Sequence, residues 1–350
     1  MRLIEEFRST ESLYTIRRMT KRLLCIPLIL SAVALAADDT KFGVSITGKD
    51  DRLRIELNGE HFTDYIIKGE DRYFPLFYPV LGPGQVAMTR KYPLEIIEGE
   101  DTDHPHHQSL WFAHSDVNGH SFWAVREYGD VKPGKTVHRK FKEVVSGKEK
   151  GHFISENDYV AADGTIVMSD TRTVRFTTPA DAMAPRLIDI TIAFHATNGD
   201  VTFGDQKDAG MAIRVASDLQ VERRTKEKNK LAPAAGHLLN SEGVKDVETW
   251  GKRARWVDAY GEVGGQPVGV AILDHPGNPR HPTHWHSRSY GLITANIFGK
   301  RHFEKLDDPK AGEMVIPDGE TVTFRWRFAF HRDDPAKADV ESLFKQFAAE

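Results

Sequence analysis

The sequence is nearly free of cysteine, since its 350 residues contain one, Cys25. That residue lies inside an amino-terminal apolar run, so the rest of the chain has no thiol for a disulfide or a cysteine-based metal site. Strong charge bias is also absent: the formal net charge is −4, which argues against nucleic acid or an anionic membrane as a partner. No linker rich in proline and serine divides the chain, and we therefore expect a single domain after the amino-terminal segment.

The amino-terminal segment has the pattern of an export signal. Thr20-Lys21-Arg22 precedes the apolar run 23–30, which is too short to cross a membrane comfortably. Small residues follow, and the Ala-x-Ala pattern predicts cleavage near Ala36 or Ala37. We expect residues 1–37 to be extra residues plus a signal peptide and residues 38–350 to be the mature domain. The mature protein would be secreted or periplasmic and would not be held by a membrane.

Strand patterns dominate the mature sequence. Apolar and polar residues alternate over 52–57, 188–194 and 322–330, and each run predicts a strand with one buried face. Pairs such as Asn58-Gly59 and Asn118-Gly119 accept the positive φ angles of tight hairpins. These features predict an all-β fold, a large antiparallel β-sandwich.

A helical pattern is confined to the carboxyl end. Asp334 is suited to cap a helix, Pro335 suits its first turn, and an apolar stripe follows over 340–347. We expect a helix over 335–349, docked on the outside of the sheets. The charge-dense run 223–230 is typical of a solvated loop.

Residues 103–123 hold five of the 16 histidines and two tryptophans. If Asn118-Gly119 is a two-residue turn, alternation places one set of side chains on a common face, which we expect to form the floor of a pocket. On the preceding loop, an extended chain would project His104 and His106 together, with His107 opposed. The predicted pocket face comprises Leu110, Phe112, His114, Asp116, Ser121 and Trp123.

Two further stretches have a similar character. Residues 281–288 contain three histidines and a tryptophan, and residues 203–215 contain two carboxylates, a lysine and an arginine. We expect the fold to gather all three stretches around one cavity. Tryptophan beside acids, amides and imidazoles is typical of sugar recognition. The predicted substrate-binding residues are Trp111, Trp123, Lys207, Arg214, Trp285, Arg288, Tyr290 and Asn296, with Lys207 and Arg214 suited to an acidic substrate.

The residue types allow two chemistries. Histidine and aspartate tuned near neutral pH can act as general acid and base, and the candidates are His106, His107, His114, Asp116, Asp208 and His284. Neutral imidazoles with a carboxylate can also hold one divalent ion such as zinc. No His-Glu-x-x-His motif favours this alternative. The candidate ligands are His104, His106, His281, His284, His286 and Asp205.

Six short motifs lie at 77–83, 104–114, 208–214, 281–286, 290–292 and 296–299. Their combination resembles a bacterial protein family that is labelled methane oxygenase PmoA, over roughly residues 60–331. The resemblance implies a secreted β-sandwich protein that accompanies carbohydrate-degrading systems, similar to the galactose-mutarotase type of sandwich, and it supplies no catalytic residues. The family's usual Arg-Gly after the histidine run is Gln108-Ser109 here.

The sequence therefore predicts an exported enzyme that acts on a glycoside or modified sugar by hydrolysis, elimination or epimerisation, with or without a metal. A non-catalytic carbohydrate-binding module is the alternative from another class. The label of the family adds a third, a metal-dependent oxygenase.

Overall fold

The computed structural model describes residues 43–350 except 71, 226, 228 and 229. The predicted signal peptide, its cleavage site and Cys25 lie outside the described residues. The strands, in chain order, are β1 (Val44–Lys49), β2 (Arg52–Leu57), β3 (Glu60–Ile66), β4 (Leu76–Val80), β5 (Leu110–His114), β6 (Lys135–Val145), β7 (Lys150–Val160), β8 (Ile166–Thr177), β9 (Arg186–His195), β10 (Val201–Phe203), β11 (Ala209–Arg214), β12 (Glu222–Arg224), β13 (Leu231–Pro233), β14 (His237–Asn240), β15 (Trp256–Val263), β16 (Gln266–Asp274), β17 (His284–Trp285), β18 (Leu292–Asn296), β19 (Met314–Ile316) and β20 (Thr321–Arg332).

Two eight-stranded sheets form a sandwich. The first has the order β1-β2-β3-β4-β5-β11-β18-β17 and the second the order β14-β15-β16-β20-β9-β8-β7-β6. Two small two-stranded sheets, β10-β19 and β12-β13, supplement them. Neighbouring strands in both large sheets pair antiparallel. The prediction of an all-β, antiparallel sandwich is confirmed.

The core between the sheets follows the alternation of the sequence. In β9, Ile188, Ile190, Ile192 and Phe194 are at most 2% exposed, and their polar neighbours point away from the core. The Phe194 ring packs at a tilt of 45° against Phe112 of the first sheet and edge-on against Phe324 of β20 in the second. Burial of each such side chain contributes about 1.5–3 kcal/mol, so the alternation specifies which face of each strand is buried.

The carboxyl-terminal helix α2 (Val340–Ala348) follows a short helix α1 (Lys300–Glu304) and docks on the outer face of the second sheet. Phe344 and Phe347 pack there beside Trp256 and Leu273. The predicted start at residue 335 is wrong, because 335–339 form turns and Asp339 provides the cap by accepting from the N–H of Ser342. Among the described residues, neither α1 nor α2 has the length and hydrophobicity of a membrane-spanning helix.

The first sheet is apolar on both faces. Leu110 and Phe112 face the core between the sheets, whereas Trp111 and Ala113 face outward. Trp123 lies with Trp111 and not with Phe112, so the pocket floor predicted from hairpin alternation is wrong. After the turn at Asn118-Gly119, Val117 and His120 form an isolated bridge and the N–H of Phe122 donates to the carbonyl of His114, but the described chain forms no regular strand there before β6, so strict alternation does not hold. The outward layer comprises Ile66, Phe74, Leu76, Tyr78, Trp111, Ala113, Trp123, Ala212, Tyr290 and Leu292.

Candidate active site

Strand order brings the three sequence stretches side by side. β5 lies within the first histidine stretch, β11 begins directly after Asp208, and β17 lies within the second histidine stretch. In the first sheet these strands occupy adjacent positions, in the order β5, β11, β18 and β17. Residues 104–107, Asp208 and His286 therefore meet over the outward apolar layer.

Residues 104–107 form a turn. The N–H of His107 donates to the carbonyl of His104 at 2.9 Å, and His104 has a φ of 45°. The His104 and His107 rings stack with centroids 4.6 Å apart and planes 1° apart, and His106 stands edge-on to both. The prediction that His107 opposes His104 is wrong. It assumed an extended chain, whereas the turn brings the His104 and His107 rings together.

The stacked imidazoles rest on aromatic rings. His104 stacks on Tyr290 at 5.2 Å, and His107 lies over Trp111 at 5.9 Å. Three guanidinium carbons also lie near the centroid of the Tyr290 ring, at 4.8 Å for Arg214, 5.3 Å for Arg288 and 5.7 Å for Arg224. A cation over an aromatic face is attracted to the ring. Tyr290 therefore packs against both the histidines and a group of three arginines.

Asp103 is the counter-ion of two arginines in this group, Arg214 and Arg224. Its carboxylate accepts from Arg90 at 2.5 Å, Arg214 at 3.0 Å, Arg224 at 2.7 Å and His104 at 2.5 Å. Burial alone would raise the pKa of Asp103, but the hydrogen bond to His104 and the charges of Arg214 and Arg90 hold that pKa well below its usual range. Asp103 therefore stays ionised and orients His104.

Arg214 does not face the cavity. It is fully buried, and besides Asp103 it donates to Nδ1 of His107 at 3.2 Å. This contact makes Nδ1 of His107 an acceptor and assigns its proton to Nε2. Burial, followed by the charges of His106 and Arg214, lowers the pKa of His107 well below its ordinary value. His107 is thus a neutral, fixed support for its neighbours.

A cavity of about 510 Å³ opens over this arrangement. His106 borders it, and burial together with the nearby His104 lowers the pKa of His106 to about 4. Asp208 borders it too; although burial opposes ionisation, the hydrogen bond and charge of Lys207 lower its pKa. A neutral imidazole and an ionised carboxylate therefore share the cavity at pH 7. The lining residues are His104, Pro105, His106, Ser115, Ser121, Trp123, Ala124, Val125, Arg126, Tyr128, Val131 and Asp208.

The second histidine stretch reaches the cavity through Asp208. Nε2 of His286 lies 4.0 Å from Oδ1 of Asp208, and Nζ of Lys207 donates to Oδ2 at 2.9 Å. Burial lowers the pKa of His286 to about 3, so this imidazole is neutral as well. Asn296 supports the loop that carries Asp208, because its amide donates to the carbonyls of Gln206 and Lys207.

The other two histidines of that stretch lie elsewhere. Nδ1 of His281 contacts Asp274 at 2.7 Å, and Nε2 of His284 contacts Glu304 of α1 at 3.1 Å. Trp285 is fully buried and donates its indole N–H to the carbonyl of Ala254. None of these three side chains borders the cavity. Alternation in β17 and the turn before it place them beside Asp274, Glu304 and Ala254 instead.

Three predicted catalytic residues of the first stretch lie outside the lining of the cavity: His107, the buried support described above, and also His114 and Asp116. His114 is buried in the core between Phe203 and Phe298, and burial lowers its pKa to about 3. Its Nδ1 accepts from the N–H of Asp116, and Asp116 in turn accepts from the N–H of Gly119. Both residues thus shape the Asn118-Gly119 turn.

The six predicted metal ligands do not converge. In the part of the chain that the structure describes, no group of three or more histidine, cysteine, aspartate or glutamate side chains has the geometry to hold a metal ion. His281 and His284 each have a separate carboxylate partner. Oδ2 of Asp205 accepts from the N–H groups of Arg301 and Gly312, so it organises a loop.

Sequence reasoning did not single out Asp103, Arg90 or Arg224. Asp103 precedes His104 directly, and that adjacency was a usable signal. Arg90 stands outside any recognisable motif. Arg224 belongs to the charge-dense run 223–230, where the pattern of a solvated loop concealed its role; in the structure it lies in β12 and binds Asp103.

Comparisons with known proteins give the following. Two solved structures each cover 83% of this chain with 8% identical residues: a putative aldose 1-epimerase from Escherichia coli K12, 99% covered with a TM-score of 0.28, and a galactose mutarotase related enzyme from Lactobacillus acidophilus, 98% covered with a TM-score of 0.31. No curated protein matches the chain. None of these findings names a methane oxygenase, so that resemblance stays a prediction. The family model of DUF6807, a family of unknown function, matches residues 52–345, and the chain belongs to that family.

Proposed function

We propose that this protein is an exported enzyme that removes a proton from a sugar or glycoside, with His106 as the base and Asp208 as its anionic partner. One observation carries the proposal: both residues line a single cavity, and both have a pKa below the ordinary value, so that both are proton acceptors at neutral pH. A base must be unprotonated and accessible to its substrate, and His106 meets both conditions.

The walls of the cavity suit a saccharide. Trp123 and Tyr128 supply ring surface, and Ser115, Ser121 and His104 supply groups that bond hydroxyls. Aromatic rings with a few polar groups are the usual lining of small-molecule sites, whose volumes run from about 300 to 1,000 Å³. The cavity lies within that range.

The charge state of the site favours elimination or epimerisation over hydrolysis. Glycoside hydrolysis commonly uses two carboxyl groups, one of which has a raised pKa and acts as the acid. Among the described lining residues Asp208 is the one carboxyl group, and its pKa is lowered. Proton abstraction from carbon needs an unprotonated base instead, and the lowered pKa of His106 keeps its imidazole unprotonated at neutral pH. In an elimination, Nε2 or Nδ1 of His106 would accept the proton, the electron pair of the broken C–H bond would form a C=C bond, and the C–O bond at the neighbouring carbon would break, with the departing oxygen taking a proton from water. The negative charge of Asp208 would stabilise the imidazolium that forms.

The test is turnover of a broad panel of glycans by the wild type and by His106→Ala. We expect kcat/KM to fall by about a hundredfold or more in this variant, since general base catalysis contributes about 10²–10⁴. His152→Ala is the matched control, because His152 lies on β7 of the second sheet beside Glu143, and it should retain full activity.

If His106→Ala still binds saccharides and the wild type turns over no member of the panel, the binding-module alternative replaces the proposal.

A further inference from the structure

A second depression adjoins the cavity. This groove has a volume of about 640 Å³, and it shares Pro105, Val125 and Arg126 with the cavity. The two are therefore neighbours along one surface, separated by the residues they share. The groove is lined by Glu70, Arg72, Tyr73, Tyr92, Pro93, Leu94, Pro105, Gln108, Val125 and Arg126.

The groove carries an excess of positive charge. Among its described lining residues, the guanidinium groups of Arg72 and Arg126 stand against one carboxylate, Glu70. Nη1 of Arg72 donates to the neutral amide oxygen of Gln108 at 2.5 Å. Nε of Arg72 is buried and has no partner in the part of the chain that is described. Burial also lowers the pKa of Arg72, since the charged form loses its hydration.

A partly buried guanidinium beside a neutral partner is a suitable site for an anion. Arginine presents several N–H donors in one plane and pairs with carboxylates and related oxyanions through two hydrogen bonds. An arriving oxyanion would offset the desolvation of Arg72 and give its Nε an acceptor. The rings of Tyr73 and Tyr92 provide the apolar surface that a sugar ring needs.

We infer that the groove is a second sugar subsite, and that it binds a ring bearing a carboxylate or a sulfate ester next to the reacting sugar in the cavity. This inference rests on the proposed function, because the groove is a subsite only if the cavity holds a sugar. The substrate class is then an acidic oligosaccharide of at least two units. Lys207 and Arg214, predicted for this role, are engaged by Asp208 and Asp103.

The test measures binding of three tetrasaccharides by calorimetry: an oligouronate, a sulfated oligosaccharide and an uncharged glucan. We expect at least one charged probe to bind the wild type tenfold or more tightly than the glucan. Arg72→Gln and Arg126→Gln should each weaken that binding about tenfold. Arg126 is exposed, so its variant keeps the test valid if Arg72→Gln fails to fold. Arg175→Gln, on the exposed face of β8 in the second sheet, is the matched control and should change affinity less than twofold.

Two results would overturn the inference: the glucan binding as tightly as both charged probes, or Arg175→Gln weakening binding as much as Arg126→Gln. His106→Ala separates this inference from the proposed function. If His106→Ala loses turnover but the wild type binds charged and uncharged probes equally well, the acidic subsite is rejected and the proposed function stands. If the wild type prefers the charged probes but turns over none of them, the enzymatic function is rejected and the acidic subsite stands.

Discussion

Asp103 holds together a group of charges that the protein could not otherwise bury. Arg90 and Arg214 have fully buried side chains, and the carboxylate of Asp103 is 13% exposed. A buried cation without a counter-charge costs several kcal/mol. Removing one partner of a buried ion pair is therefore far more destabilising than replacing the whole pair by apolar residues. Asp103 also positions His104, on which His106 and His107 pack.

We therefore expect Asp103→Asn to lower the free energy of unfolding by about 3 kcal/mol, within the range for breaking a buried ion pair. Asparagine keeps the shape and removes the charge, so Arg90 and Arg214 lose their counter-ion. Urea denaturation of wild type and variant measures the change. Asp307→Asn, at an exposed position, should stay within about 0.5 kcal/mol of the wild type. An equal, small effect of both substitutions would contradict the role of Asp103.

At the scale of elements, the site depends on how β18 holds the loop before β11. The amide of Asn296, at the end of β18, donates to the carbonyls of Gln206 and Lys207, and its oxygen accepts from the N–H groups of Phe298 and Gly299. All four bonds are formed by one fully buried side chain. They keep Asp208 near His286 and at the wall of the cavity.

Asn296→Ala should destabilise the protein by about 3 kcal/mol, because it leaves buried carbonyl and N–H groups without partners. Asn296→Asp should cost more, since a carboxylate would face two carbonyl oxygens. Thermal or urea unfolding gives the comparison. Asn198→Ala removes one exposed hydrogen bond to Ile166 and serves as the control, with an expected cost below about 1 kcal/mol. If both alanine variants cost the same, Asn296 does not organise the loop.

For the whole molecule, buried histidines couple stability to pH. Burial lowers the pKa of His106 to about 4 and those of His114 and His286 to about 3, whereas an unfolded histidine titrates near about 6.5. Between these values the unfolded chain binds protons that the folded protein does not, so stability falls as the pH drops. His331 acts in the opposite direction, because Asp258 raises its pKa despite its burial.

The free energy of unfolding should therefore decrease between pH 6.5 and pH 5, a window above the usual range of carboxylates. Each fully buried histidine of this kind contributes about 2 kcal/mol to the decrease. Urea unfolding at several pH values measures it, and His114→Gln should remove about that amount from the pH dependence. Asn198→Gln, an exposed substitution that changes no titratable group, is the control and should leave the dependence unchanged. A free energy that stays constant over this window would contradict the prediction.

Much of the fold was predictable because strand patterns are local. The alternation over 188–194 and 322–330 places apolar side chains on one face of each strand, whatever the partner strand is. The outward layer under the site was not predictable in the same way. β5 is apolar on both faces, and a sequence in which every residue of a strand is buried does not indicate which face lies between the sheets.

By itself, the sequence determined that the chain forms strands with tight Asn-Gly turns, and that histidines, tryptophans and carboxylates concentrate in three stretches. Tertiary structure alone decided which of those residues meet. Asp103 binds arginines that are 13, 111 and 121 positions away, and β5, β11, β18 and β17 become neighbours through pairings between distant segments. The physical reason is that backbone propensity acts over a few residues, whereas burial, ion pairing and the lowered pKa of His106 arise from contacts that exist only once the sheets are assembled.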